Sequence, residues 1–149
     1  MTMQRAVPMV SYEDCASAAD WLCAAFGFRQ VGDRLLDDEG RVIHVELDRA
    51  GARVMLGWPG PAYRSPRRHA ASCADASAWL EPPFVVDGVL LYVEDADAHE
   101  ATAREAGAEI VRDPEDAPPG RLYVAADPEG HRWMFVQPPA AVPRSSSTG

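Results

Sequence analysis

The chain repeats itself, and the repeat constrains its fold more than any bulk property does. Residues 7–58 and 86–137 each read as a strand, a short Ala-rich helix stopped by a glycine, and three further strand-like runs. In the first copy Val7–Tyr12 leads into a helix over Ala16–Phe26, Gly27 ends it, and Phe28–Leu35, Arg41–Leu47 and Arg53–Trp58 follow. In the second, Val89–Val93 leads into Asp97–Ala106, Gly107 ends it, and Glu109–Arg112, Leu122–Ala125 and Arg132–Gln137 follow. A unit of about 50 residues repeated in this way cannot bury its apolar face alone and packs against its copy. Two such sheets facing one another would enclose a pocket.

Local signals sharpen the pattern. Asp14 is placed to cap the first helix, whose stripe is Ala18, Leu22, Ala25 and Phe26. Asp95 or Asp97 caps the second, with a thin stripe of Ala98, Thr102 and Ala106. Asp37-Asp38-Glu39-Gly40 and Asp127-Pro128-Glu129-Gly130 predict hairpin turns, since glycine tolerates the positive φ such turns need. Residues 59–85 form a connection rich in Pro, Arg, Ala and Ser, with one helical turn over Asp75–Leu80 that presents Trp79. A connection of that length serves as a functional lid or stays disordered. Residues 138–149 predict a disordered tail.

Charge and cysteine usage exclude several roles. All fourteen basic residues are arginines and the net charge is −9, so the surface repels phosphate backbones and nucleic acid is not an expected partner. No apolar run approaches the roughly 18 residues of a membrane span, and no secretory signal is expected. Cys15, Cys23 and Cys73 are odd in number and lack CxxC spacing, which suits free thiols in a reducing cytoplasm. Cys15, near a helix start, is either a thiol of lowered pKa or a buried, inert one. Neither a GxSxG elbow nor a Gly-rich phosphate loop is present.

Three motifs carry a family resemblance. Asp127-Pro128-Glu129-Gly130-His131-Arg132-Trp133 resembles the turn before the final strand of the vicinal oxygen chelate superfamily, which includes glyoxalase I, ring-cleaving dioxygenases and bleomycin-resistance proteins. Tyr92-Val93-Glu94-Asp95-Ala96-Asp97-Ala98 is similar to its strand-to-helix junction, and His44-Val45-Glu46-Leu47 with Val54-Met55-Leu56-Gly57 to a bacterial glyoxalase-like subgroup. The resemblance implies an α+β fold: two βαβββ modules forming a U-shaped, cup-like mixed sheet with helices on the outer face, and a homodimer. Enzymes of this family hold a divalent metal through His and Glu from the first and last strands of each module. In this chain those positions fall near Val7, Met55, Gly88 and Met134, none of which offers an imidazole or carboxylate. No metal or other cofactor is therefore expected.

With Met55 and Met134 facing the cup, as the family register implies, strand alternation brings Met9, Leu90, Tyr92 and Arg132 to the same face. Val10, Val54, Leu56, Leu91, Val93, Trp133 and Phe135 then pack under the helices. Such a lining suits a greasy or planar ligand, because thioethers adapt their shape and contact aromatic faces well. Alternatively the methionines plug the core. His44 and Glu46, two apart on a strand, are a functional pair in the cup or a plain polar pair. Trp58, Trp79 and Tyr63 close the mouth or anchor a dimer interface. His99 is expected on an exposed helix face and His131 in its turn. The resemblance together with the lost donors implies a metal-free protein that sequesters a hydrophobic or aromatic small molecule, such as an antibiotic or secondary metabolite. The alternative is a metal-dependent lyase, isomerase or dioxygenase of the same superfamily, with His44 and Glu46 contributing.

Overall fold

The computed structural model describes residues 4–82 and 87–140. Expectations for residues 83–86 and for the tail beyond 140 fall outside that range. The first half comprises β1 (Met9–Ser11), α1 (Cys15–Phe26), β2 (Arg29–Leu36), β3 (Val42–Arg49) and β4 (Ala52–Gly57). Two short helices follow, α2 (Pro66–Ser72) and α3 (Ala74–Leu80). The second half comprises β5 (Gly88–Tyr92), α4 (Ala96–Glu105), β6 (Glu109–Ala117), β7 (Gly120–Ala126) and β8 (Arg132–Gln137). Each half is a four-stranded mixed sheet, and the orders match: β1-β4-β3-β2 and β5-β8-β7-β6. In both, the first strand runs parallel to the last and the remaining pairs are antiparallel.

Helix α1 begins where Asp14, extended at φ −132°, accepts the amide of Ser17 on its side chain. It ends at Gly27, whose φ of +80° would strain any residue with a Cβ. The expected stripe is buried in full, joined by Cys15 and Ala19. Helix α4 is capped by Asp95, but its buried stripe is Ala96, Glu100 and Ala103, not Ala98, Thr102 and Ala106. Thr102 faces water and turns its hydroxyl back onto the Ala98 carbonyl, while Glu100 buries its stem and pairs with Arg104 at 2.6 Å. Hydroxyl back-bonding and a paired carboxylate satisfy these groups locally, so the helix turns its alanines inward.

Strand β6 runs further than its sequence predicts, through Pro114. The proline lies within a register irregularity between Arg112 and Glu115, on the edge strand of its sheet. A residue without an N–H is tolerated there and not in a central strand.

The helix-side faces of both sheets share one hydrophobic core with α1 and α4. Phe26 is its meeting point: its ring centroid lies 5.6 Å from that of Trp133 and 4.7 Å from that of Phe135, both from the other half. Removing such a ring costs about 3–5 kcal/mol. The connection between the halves holds two helices in place of the one expected turn. Ser65 caps α2, and Arg67 donates to the carbonyls of Pro128 and Asp127 and to Glu109. Among the described residues no helix is long and apolar enough to cross a membrane.

Candidate functional site

Strand alternation sorts the expected residues into two sets. Val54, Leu56, Leu91, Val93, Trp133 and Phe135 are all buried on the helix side. On the other side Met9 is 83% exposed, Tyr92 67% and Leu90 49%, and Met55, Arg132 and Met134 are half-buried. The methionines therefore do not plug the core; they sit on an open sheet face. Register aligns them in rows: Met9 beside Met55 beside Glu46, and Leu90 beside Met134 beside Val124.

The two halves of this surface differ in chemistry. On the second sheet Leu90, Tyr92 and Met134 alternate to the same side as the buried Leu122, Val124 and Val136, which makes that side apolar. The first sheet carries a charged stripe next to its methionines. Glu46 accepts from Arg53 at 3.1 Å and lies 3.6 Å from His44 Nε2, while Asp48 pairs with Arg29 at 3.5 Å. Asp48 and Arg29 extend the site beyond the residues that sequence reasoning selects. A signal exists for the first of them, because His44, Glu46 and Asp48 follow one another at the strand period of two.

Could this surface hold the divalent ion that the family resemblance raises? The strand neighbours of Met55 and Met134 are Met9 and Leu90, two residues on from Val7 and Gly88. The groups at this level are thus thioethers and hydrocarbon, a poor match for an ion that prefers imidazole and oxygen. Among the described residues no group of three or more His, Cys, Asp or Glu converges on one point. His44 and Glu46 supply two donors, and Arg53 already engages the carboxylate. The residues present do not fit the metal.

Other expected residues lie away from this face or at its rim. Trp58 follows β4, and the Arg41 guanidinium rests 4.1 Å from its ring centroid, so one face of the indole is occupied. Trp79 lies on α3, and the Tyr63 hydroxyl donates to the Ser11 carbonyl at 3.0 Å. Two of the cavities formed by the described residues are lined by neither Met55, Tyr92 nor Met134.

Three histidine and cysteine expectations resolve in structural terms. His99 is not on an exposed face. It bridges the halves, with Nε2 3.0 Å from the Phe26 carbonyl and Nδ1 2.5 Å from the Tyr123 hydroxyl. Neutral imidazole with its proton on Nε2 satisfies both contacts, and burial lowers its pKa. His131 holds the Ser11 carbonyl through Nε2 at 2.7 Å. Cys15 is buried and its thiol is pushed up to about 11, chiefly by desolvation, so the inert alternative holds.

The Asp-Pro-Glu-Gly turn is a structural hub. The carboxylate of Asp127, 1% exposed, accepts from Tyr12, Trp133 and the amides of Glu129 and His131. Glu129 reaches back to the first half and accepts the amides of Glu13 at 2.7 Å and Asp14 at 3.1 Å. Burial raises its pKa.

Comparison with known proteins agrees with this architecture. The family model for the Glyoxalase/Bleomycin resistance protein/Dioxygenase superfamily matches residues 6–135. An uncharacterised protein of Mycobacterium bovis is 34% identical over 136 residues, covering 88% of this chain and 81% of that protein. Among solved structures, TioX from Micromonospora sp. ML1 is 34% identical with a TM-score of 0.63, covering 89% of this chain and 94% of TioX. TnmS3 from Streptomyces sp. CB03234, an antibiotic binding protein, is 20% identical with a TM-score of 0.59, covering 93% and 99%. The bleomycin-binding protein of Streptomyces verticillus, solved with copper(II)-bleomycin, is 17% identical with a TM-score of 0.58, covering 91% and 97%.

Proposed function

Because this chain belongs to the Glyoxalase/Bleomycin resistance protein/Dioxygenase superfamily, we propose that it is a metal-free binding protein that sequesters a hydrophobic or aromatic small molecule. The carrying observation is the open sheet face, where Met9, Leu90 and Tyr92 are largely exposed in rows with Met55 and Met134. An apolar surface of this kind is costly to leave in water, at roughly 25 cal/mol per Å². The chain acts as a homodimer in which the apolar face of one copy's second sheet meets the first sheet of its partner and closes the cleft over a ligand. Tyr92 stacks on the ligand, and His44 and Glu46 of the first sheet with Arg132 of the second supply its polar contacts. Antibiotic binding by two proteins of this fold supports the ligand class. The acidic surface and free thiols suit a cytoplasmic protein.

A thermal-shift screen of the purified chain against aromatic natural products tests this reading. A ligand that binds only the folded state at 100 times its Kd adds about 2.7 kcal/mol to stability. A binder should raise Tm, and Met134→Glu should abolish the rise. A second reading, a metal-dependent lyase, isomerase or dioxygenase, is favoured only by the 3.6 Å approach of His44 to Glu46. A stoichiometric divalent ion held by those two residues in chelator-free protein would replace the first reading with the second.

A further inference from the structure

Helices α2 and α3 do more than join the halves. With the edge strands β1 and β5 they bound a cavity of about 580 Å³, within the range of small-molecule sites. Its helical wall is fastened. Arg67 donates to the Pro128 carbonyl at 2.9 Å, Tyr63 to that of Ser11 at 3.0 Å, and the Ser65 amide to Glu13 at 3.2 Å. A connection that merely spanned the gap would not need so many anchors.

The lining has a definite chemistry. Tyr63, His69 and Trp79 contribute aromatic rings, and those of His69 and Trp79 meet edge to face with centroids 6.5 Å apart. Trp79 nonetheless stays 48% exposed, so much of its indole is available for stacking. Arg64 and Arg132 stand on the wall against one carboxylate, Asp87, in a chain of net charge −9. The Arg64 guanidinium donates to the main-chain carbonyls of Pro61 and Tyr63 and to no carboxylate among the described residues. Among the described residues its charge is therefore left without a counter-ion. The cavity shares Met9, Ser11, Gly88 and Arg132 with the open sheet face, but not Met55, Leu90, Tyr92 or Met134.

We propose that this cavity is a second ligand site, separate from the sheet face, that takes a planar aromatic acid. The ring stacks on Trp79 beside His69, and the carboxylate meets Arg64. Each contact is of a kind that contributes measurably when partly shielded from water.

Calorimetric titration of the full chain with 2-naphthoate and with its neutral isostere 2-naphthamide tests the assignment. The acid should bind about tenfold more tightly than the amide. Trp79→Ala should weaken both by about tenfold, and Arg64→Gln should erase the preference for the acid while leaving the amide unchanged. Both side chains are exposed, so the variants should melt like the parent. Leu90→Glu, on the sheet face, should leave naphthoate binding intact, which keeps failure here distinct from failure of the sheet-face reading. No naphthoate binding, equal affinity for acid and amide, indifference to Trp79→Ala, or loss of naphthoate binding in Leu90→Glu would each overturn the proposal.

Discussion

The hydroxyl of Tyr12 donates to Oδ2 of Asp127 at 2.6 Å although 115 positions separate them in the chain. Both groups are buried, and this bond ties the end of β1 to the turn before β8. Asp127→Ala removes the acceptor for four donors at once, so it should cost about 3–5 kcal/mol, whereas Tyr12→Phe should cost about 1–2. Urea denaturation of both variants checks the order. An Asp127→Ala loss no larger than that of Tyr12→Phe would show that water replaces the carboxylate.

Glycines at positive φ should divide by what surrounds them. Gly40, at φ +79°, has open space where a methyl would project, so Gly40→Ala should cost about 1 kcal/mol from backbone strain alone. At Gly130, φ is +93° and an added Cβ would sit 2.9 Å from the Arg67 amide nitrogen. Gly130→Ala should therefore cost at least about twice as much, and it should loosen α2. Melting curves together with proteolysis of the connection report both effects.

Acid should weaken the junction between the halves. Folding lowers the pKa of His99 through burial, which the Phe26 carbonyl opposes in part and the charge of Arg49 reinforces. The unfolded chain then binds more protons, so this contribution is complete above an unfolded pKa near 6.5 and is lost as pH falls below it. Denaturation midpoints at pH 7 and pH 5 should differ by less in His99→Gln than in the parent. An unchanged difference would assign the acid sensitivity to other groups.

Exposed positions on the sheet face should tolerate charge without unfolding. Met9 is 83% and Leu90 49% exposed, so Met9→Glu and Leu90→Glu should each alter stability by less than about 1 kcal/mol. The same changes should abolish dimer formation and the Tm shifts produced by sheet-face ligands. Sedimentation at two protein concentrations reads the first effect, and a dimer that survives both changes would place its interface elsewhere.

Cys15 should resist alkylation in the native protein. Its thiol, buried and pushed up to about 11, offers little thiolate at pH 8. Iodoacetamide should label it only after denaturant is added, as mass spectrometry of tryptic peptides would show.

The duplication, the Asp14 cap and the sheet alternation are legible in the sequence, and the second cap is narrowed to Asp95 or Asp97, because period-two burial and Asp and Gly punctuation are local signals. The stripe of α4 is not, since Thr102 and Glu100 satisfy their polar groups within the helix and free Ala96 and Ala103 to face the core. Nor is β6 beyond Pro114, because only the edge position of that strand makes a proline acceptable. The role of His99 depends on Phe26 and Tyr123, 73 and 24 positions away, and no local pattern encodes such a meeting. Alternation alone brings methionine and tyrosine to the open face. Asp48 follows His44 and Glu46 at the same period of two, but its partner Arg29 emerges only when β2 and β3 are laid side by side.

Glu129 finishes the entry to a helix that belongs to the opposite half of the chain, by holding the amides of Glu13 and Asp14. The two halves look alike, yet they are no longer interchangeable parts. Expressed alone, the leading half would lack the acceptor for both of those amides. A tandem copy of that half would offer in its place only the tight turn at Ala50 and Gly51, which has no carboxylate to reach across.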